Sequence, residues 1–420
     1  MDKENNEHLN LNNNEAENID ENINDNSKIC NYSTIKALLI VLFIVLIIII
    51  FLTLFFIFKK EKTSSKEETP LNEEPINESQ TNQTNTTILE PDPSYKGPIF
   101  PDDGKITKEW VFELIDFMKD LEQKKSYEER YMDKYYLLKM ISKATNILKQ
   151  YNESIININI PYDKKNFTVV GDIHGQFYDL LHIFDINGYP SENNLYLFNG
   201  DYIDRGQFGV ETIITLMAFK ILYPNHFYMN RGNHEDISVN NRYGFQIEVI
   251  YDKYDAEVYD YFSEFFRFLP LGHVLNNKII VLHGGLFSKE GVTIDELKKL
   301  ERGIDIPTSG LMTELLWSDP REGKGWEPSD RGAGIYFGED VTEKFLNDNN
   351  LTLLIRSHEV KMEGYEIQHG GKTITIFSAP NYYDIQGNKG AIIRIIGEEM
   401  ELHFIQYDAV PHPDFVSKNN

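Results

Sequence analysis

The decision about fold rests on "FTVVGDIHGQFYD", Phe167–Asp179, in which an apolar run gives way at Gly171 to two aspartates, a histidine and a second glycine. Such a run, bounded by a glycine turn, reads as a buried strand that ends at the rim of a sheet. Glycine lets the chain bend sharply there and bring side chains close to a bound ion or anion. Four other runs end the same way. "LYLF" (195–198) leads into Asn199-Gly200-Asp201 and on to Asp204-Arg205-Gly206. "HFYM" (226–229) leads into Asn230-Arg231-Gly232-Asn233-His234-Glu235. "KIIVL" (278–282) stops at His283-Gly284-Gly285, and "LTLLI" (351–355) at Arg356-Ser357-His358. Singly, each is an ordinary turn or capped strand. Together they bring Asp, Asn and His to one rim of a sheet, where α/β proteins place their sites. Helical patterning over Lys105–Lys124 and Tyr127–Tyr151 precedes these strands, and short β-like and helical runs alternate afterwards, so the spacing predicts an α/β layered domain.

The residues at the strand ends form a ligand set: Asp172, His174, Asp201, Asn233, His283 and His358. It is oxygen and imidazole without thiolate, a set suited to Mn, Fe or Zn in a catalytic site. Six ligands exceed what one open catalytic ion needs and suit two ions about 3.5–4 Å apart, bridged by a carboxylate. Two such ions acidify a shared water and clamp the oxygens of an in-line displacement, the task of phosphoester hydrolysis.

Composition bounds the rest of the chain. Its 420 residues exceed one ordinary core, and 66 carboxylates against 41 Lys and Arg give a net charge of −25. Nucleic acid is excluded as a partner, since phosphate backbones are bound by basic surfaces. Cys30 stands alone, which excludes an internal disulfide framework and a Cys-based zinc site. Residues 1–34 are rich in Asn and acids and read as a disordered tail. Residues 35–58, "IKALLIVLFIVLIIIIFLTLFFIF", carry Lys36 as their one charge; as a helix they would span roughly 36 Å against an apolar membrane core of about 30 Å. This is the pattern of a transmembrane helix. Residues 59–94 read as a flexible stalk, 95–415 as the globular catalytic domain, and 416–420 as a tail.

The motifs "GDIHG", "GDYIDRG" and "RGNHE", beginning at Gly171, Gly200 and Arg231, resemble the signature of the PPP family of metal-dependent serine/threonine phosphatases. The likeness extends from about 95 to 415 through "HGGL" (283–286), "LLWSDP" (315–320), "SDRG" (329–332), "RSHE" (356–359) and "SAPNYYD" (378–384). "FNGDYIDRG", "IRSHEVKMEGYEIQHGG" and "VPHPDF" bring it nearest to the catalytic domain of the protein phosphatase 5 type. The resemblance implies a metallophosphoesterase-type β-sandwich flanked by helices. It implies that Asp172, His174 and Asp201 hold one metal, that Asp201 bridges, and that Asn233, His283 and His358 complete the second. It makes His234 the general acid, oriented by Asp204. Arg205, Arg331 and Asn233 would grip the phosphate, and Tyr382 would line the site. Arg231 and Glu235 read as braces of their loop, Trp317 and Trp326 as packing residues. His182, His226, His273, His369, His403 and His412 match no motif. The chain departs from the type where an Asn-rich tail and an apolar segment stand in place of a tetratricopeptide domain, so no chaperone partner bound through such a domain is expected. Tyr383 stands where many relatives have Cys.

The resulting expectation is a membrane-anchored serine/threonine protein phosphatase. Attack of hydroxide bound to two metal ions would cleave phosphoserine and phosphothreonine in protein substrates. A metallophosphoesterase acting on a small ester, such as a dinucleotide polyphosphate, is the alternative; a dead scaffold is disfavoured because no ligand is missing. Lys59, Lys60, Lys62 and Lys66 beyond the apolar segment predict a cytosolic catalytic domain, although sequons at Asn77, Asn82 and Asn85 point the other way.

Overall fold

Strands β2 (Asn166–Val170), β3 (Asn194–Phe198) and β4 (Phe227–Met229) run parallel and in register, Val169 beside Leu197 and Leu197 beside Tyr228. Two further strands, β13 (Gly390–Ile396) and β14 (Glu401–Tyr407), extend this sheet antiparallel, in the order β14-β13-β2-β3-β4. A second sheet is built from β1 (Ile155–Ile158), β5 (Gly272–Leu275), β6 (Ile279–Leu282), β10 (Leu353–Arg356), β11 (Tyr365–Gln368) and β12 (Thr373–Ile376), in the order β1-β5-β6-β10-β12-β11. A small third sheet joins β7 (Asp319–Pro320), β9 (Ile335–Phe337) and β8 (Trp326–Pro328). The computed structural model describes residues 89–119, 131–160 and 166–414, all within one compact unit, Thr87–Asn420.

Period-two alternation explains why the two large sheets face each other. In β2 and β3, Phe167, Val169, Leu195 and Leu197 point inward, where they meet Ile279, Val281, Leu353, Ile355, Ile374 and Ile376 of the second sheet. The residues between them point outward on both sides. On one side Val170, Tyr196 and Phe198 pack under helices α1 (Lys108–Lys119), α2 (Lys134–Leu148), α3 (Phe177–Asn187) and α4 (Gly209–Leu222). On the other, Ile280, Leu282 and Leu354 pack under Met312, Leu315, Phe345 and Leu346 of two shorter helices, Leu311–Trp317 and Glu339–Asp348. The strands are apolar on both faces because both faces are covered. The expected β-sandwich flanked by helices is the architecture observed.

Helix α2 begins seven residues later than its periodicity suggested, at Lys134 rather than Tyr127. Asp133 caps it, its carboxylate accepting from Tyr135 N, which satisfies an amide left open at the helix start. Helix α1 begins three residues later than expected, at Lys108, and the rest of its expected span, 120–124, lies outside the described residues.

The membrane reading is corrected. Among the described residues no helix is long and apolar enough to cross a membrane, so single-pass localisation and a cytosol-facing orientation are withdrawn, and the fold class is α/β layering alone. The segment 35–58 lies outside the described residues, as do the Asn-rich tail 1–34, most of the stalk 59–94 and the tail 416–420.

Candidate metal centre

All five strands that end in the motif residues run in parallel within their sheets, β2, β3 and β4 in one, β6 and β10 in the other. Their carboxyl ends open on the same rim, so side chains distant in sequence meet there. Backbone strain accompanies them: His174, Asp201, Asp204, Arg205 and His358 have φ of 47°, 53°, 67°, 72° and 70°. Left-handed conformations in non-glycine residues persist only where the surroundings hold them, and they cluster at sites of chemistry. Glycine does its part where two of these turns touch. Gly200 has φ +93°, and a Cβ on it would lie 2.5 Å from Gly232 N and 2.9 Å from His283 Nδ1; no side chain fits between the Asp201 and Asn233 loops.

The six ligand candidates converge. His174 Nε2 lies 3.7 Å from Asp172 Oδ2 and 3.6 Å from Asp201 Oδ2. His283 Nε2 lies 3.3 Å from Asp201 Oδ1 and 2.9 Å from Asn233 Oδ1. His358 N donates to Asp172 Oδ1 at 3.2 Å. Asp201 therefore belongs to two clusters at once, one with His174 and His234, the other with His283 and His358. Five of the six candidates line a cavity of about 450 Å³ together with Arg205, His234, Arg331 and Tyr382. The sixth, His283, is fully buried beneath it.

Carbonyl groups set the histidine tautomers. His174 Nδ1 donates to Ile203 O at 3.0 Å and His283 Nδ1 to Asn199 O at 2.8 Å. A carbonyl only accepts, so each ring keeps its proton on Nδ1 and turns Nε2 toward the carboxylates. At His283 that nitrogen, the Asn233 oxygen and the Asp201 oxygen are acceptors aimed at one another, an arrangement that calls for a cation between them. His358 Nε2 is buried without a partner among the described residues. Burial, and then the neighbouring Asp201 carboxylate, pushes Asp172 up to about 7. Burial opposes charge on His283 too, but Asp201 and Asp172 outweigh it and lift that group to about 9. Positive charge is drawn to this point, and a divalent ion supplies it more fully than a proton.

His234 stands beside the cluster. Its Nδ1 is 2.6 Å from Asp204 Oδ2, and Asp204 is fixed in turn by accepting from Phe245 N at 2.9 Å. The other ring nitrogen faces Asp201 at 3.9 Å. Burial works against charge on this imidazole, yet Asp201 and Asp204 hold its pKa above the ordinary value. Arg331 donates from Nε to Asp319 at 2.6 Å and from its terminal nitrogen to His358 O at 3.3 Å. Arg231 and Glu235 brace the loop: Arg231 reaches Glu235 O, Ile304 O and Asp236, while Glu235 accepts from the amides of Asp201, Tyr202 and Gly232. Trp317 is not pure packing, since it lines the cavity and its ring meets His358 edge-on at 5.6 Å.

Several contributors carried no sequence signal of their own. Asn199 donates to Leu282 O and to Ser357 Oγ, and Asn230 to Asn199 Oδ1 and Val281 O, so this pair ties one sheet to the other directly under the site. Buried His273 joins the same network by donating from Nδ1 to Asn230 Oδ1. Asp319 holds both Arg331 and the buried Arg356. The only hint was position, an Asn ending each of two adjacent strands.

The comparisons agree with this geometry. The calcineurin-like phosphoesterase family matches residues 165–362. Serine/threonine-protein phosphatase T of Trypanosoma brucei brucei is 52% identical over 286 residues, 68% of this chain and 60% of that protein. Human serine/threonine-protein phosphatase 5 is 48% identical over 320 residues, 76% of this chain and 62% of that protein. A solved serine/threonine phosphatase from Saccharomyces cerevisiae, described as similar to human phosphatase 5, superposes with a TM-score of 0.69 at 36% identity, covering 74% of this chain and 99% of its own. The chain belongs to the PPP family, protein phosphatase 5 type. It spans about 60% of the length of the curated relatives it matches. PPP phosphatases work with divalent metal ions, and the converging acceptors, the unpartnered His358 nitrogen and the thiolate-free donor set of this member fit such ions.

Proposed function

We propose that this PPP-family chain is a phosphoprotein phosphatase hydrolysing phosphoserine and phosphothreonine, its chemistry carried by residues 95–415. The single observation that supports it most is Asp201, shared between two buried ligand clusters while its neighbour His234 is clamped by Asp204. In this reading Asp172, His174, Asp201, Asn233, His283 and His358 hold two divalent ions, drawn from Mn, Fe and Zn. When bound, the ions acidify water and neutralise the phosphoryl oxygens. The protein's own residues do the rest. Arg205 and Arg331 present planar guanidinium forks to the phosphate, and Asn233 adds a donor. His234 delivers a proton from Nε2 to the serine or threonine oxygen as the P–O bond breaks, while Asp204 keeps the other nitrogen protonated and the ring in place. Tyr382, whose ring lies 5.1 Å from that of His174, closes one wall.

The test compares two substrates on the full chain with Mn²⁺. A phosphothreonine peptide and diadenosine tetraphosphate are offered separately, with and without chelator, to the wild type and to Asp201→Asn. The expected result is chelator-sensitive release of phosphate from the peptide, abolished in the variant. Preference for the dinucleotide would assign a small-ester phosphoesterase instead, and full activity of Asp201→Asn would remove the two-ion centre.

A further inference from the structure

Arg205 sits between two tyrosine rings at the mouth of the catalytic cavity. Its guanidinium carbon lies 3.8 Å from the centroid of Tyr243 and 5.3 Å from that of Tyr383, both within the reach of a cation–π contact. The rings come from separate parts of the chain. Tyr243 ends a short helix, Ile237–Tyr243, and its carbonyl accepts from Arg205 N at 3.2 Å. Tyr383 belongs to the loop after β12, where Asn381, Tyr383 and Asp384 all take left-handed φ of 42°, 58° and 59°.

Such a loop must be held from outside, and it is. Asn388 accepts from Asn381 N and Tyr382 N, Asn381 Oδ1 accepts from Gly387 N, and His412 reaches Asp384 at 3.2 Å. The loop thus presents Tyr382 toward His174 and Tyr383 toward Arg205. Arg205 Nε, meanwhile, is buried and has no hydrogen-bond partner among the described residues. Among the described residues no carboxylate pairs with this guanidinium, in contrast to Arg331, which Asp319 holds. What restrains Arg205 is aromatic surface on its faces, and its donor edge is left for an oxyanion.

We propose, resting on the phosphatase reading above, that Tyr383 is a positioning residue which, opposite Tyr243, clamps the Arg205 guanidinium so that its donor edge faces the phosphate of substrate and product. A ring can fix the plane of the fork without competing for its hydrogen bonds, which a carboxylate would do. Arg205 grips the phosphate in ground state and transition state alike, so the effect belongs in binding more than in turnover.

Four variants of the full chain, loaded with Mn²⁺, test this: Tyr383→Asn, Tyr383→Phe, Arg205→Ala, and Tyr383→Asn combined with Arg205→Ala. Asparagine accepts the left-handed backbone while removing the ring, so folding is preserved; phenylalanine keeps the ring face. Steady-state kinetics on a phosphothreonine peptide are measured beside competitive inhibition by inorganic phosphate. Tyr383→Asn is expected to raise KM and the phosphate inhibition constant together by about three- to tenfold, the range a partly exposed cation–π contact supports, with kcat within about twofold. Tyr383→Phe should recover most of that loss, and Tyr383→Asn should add nothing once Arg205 is Ala. Unchanged KM in Tyr383→Asn, a Phe variant as weak as Asn, or an undiminished effect in the Arg205→Ala background would each overturn the clamp. Calorimetric binding of phosphate to the same proteins separates the two readings: a wild type that binds phosphate yet leaves the peptide intact refutes the activity, while the clamp is still judged by its affinities.

Discussion

The general-acid role proposed for His234 rests on a carboxylate that lies 30 positions earlier in the chain and is held from two sides. Removing that charge by Asp204→Asn leaves the shape of the pair and takes away what keeps Nδ1 protonated and the ring aimed. General acid catalysis is worth about 10²–10⁴ in rate, so kcat on a phosphothreonine peptide should fall about 10²-fold or more with KM little altered. On p-nitrophenyl phosphate the loss should be far smaller, because nitrophenolate leaves without needing a proton. Equal losses on both substrates would take the acid role from His234. At this scale the sequence was informative where a motif carried its own chemistry. Asp172, His174, Asp201, Asn233 and His358 meet in one cavity, as their places at strand ends implied. Asn199, Asn230, Asp319 and Tyr243 were illegible because their roles depend on partners supplied only by tertiary contact, such as Leu282 O for Asn199 and the Arg205 guanidinium for Tyr243.

Among the elements, the stretch that follows β14 is tied down at two points. Val410 N donates to Asp179 Oδ1 at 2.9 Å, and His412 lies 3.2 Å from Asp384. Burial disfavours charge on His412, but the Pro413 carbonyl and the Asp384 and Asp179 carboxylates outweigh it and hold its pKa above the ordinary 6.5. A raised folded value means the stabilisation is fully present below about 6.5 and is lost as pH climbs through the folded pKa. Hydrogen exchange at the Val410 amide, corrected for its intrinsic pH dependence, should therefore quicken above that window. The change should be modest, roughly two- to fivefold, because the pair is largely solvated, and it should vanish in His412→Gln. Exchange that stays flat in wild type would mean the ion pair does not hold this segment. Elements differ in legibility for a physical reason. Strands β2, β3, β6 and β10 are buried on both faces and read as apolar runs. Strands β11 and β14 are half exposed and mix Glu, Gln and His among their apolar residues, so no run marks them.

For the whole molecule, the centre lies on the seam between two sheets, Asp172, Asp201 and Asn233 arriving from one and His283 and His358 from the other. Ions held there join the halves of the sandwich, and a ligand at 100 times its dissociation constant adds about 2.7 kcal/mol to stability. Chelation should lower the thermal midpoint by roughly 5 °C or more, and Mn²⁺ should restore it; a midpoint indifferent to both would place the ions outside the seam. The apolar runs foretold α/β layering and the family resemblance implied the sandwich, whereas its strand order was not legible, because β13 inserts beside β2 from more than 200 residues further along. That insertion has a consequence for synthesis. Gly171 N donates to Ser378 Oγ, 207 positions away, and β2, already paired with β3 on one edge, finds its neighbour on the other edge only in residues 390–396. A ribosome must therefore release residues 378–396 before the rim that carries the proposed chemistry can close, so any phosphatase activity would arise only after that stretch has left the ribosome.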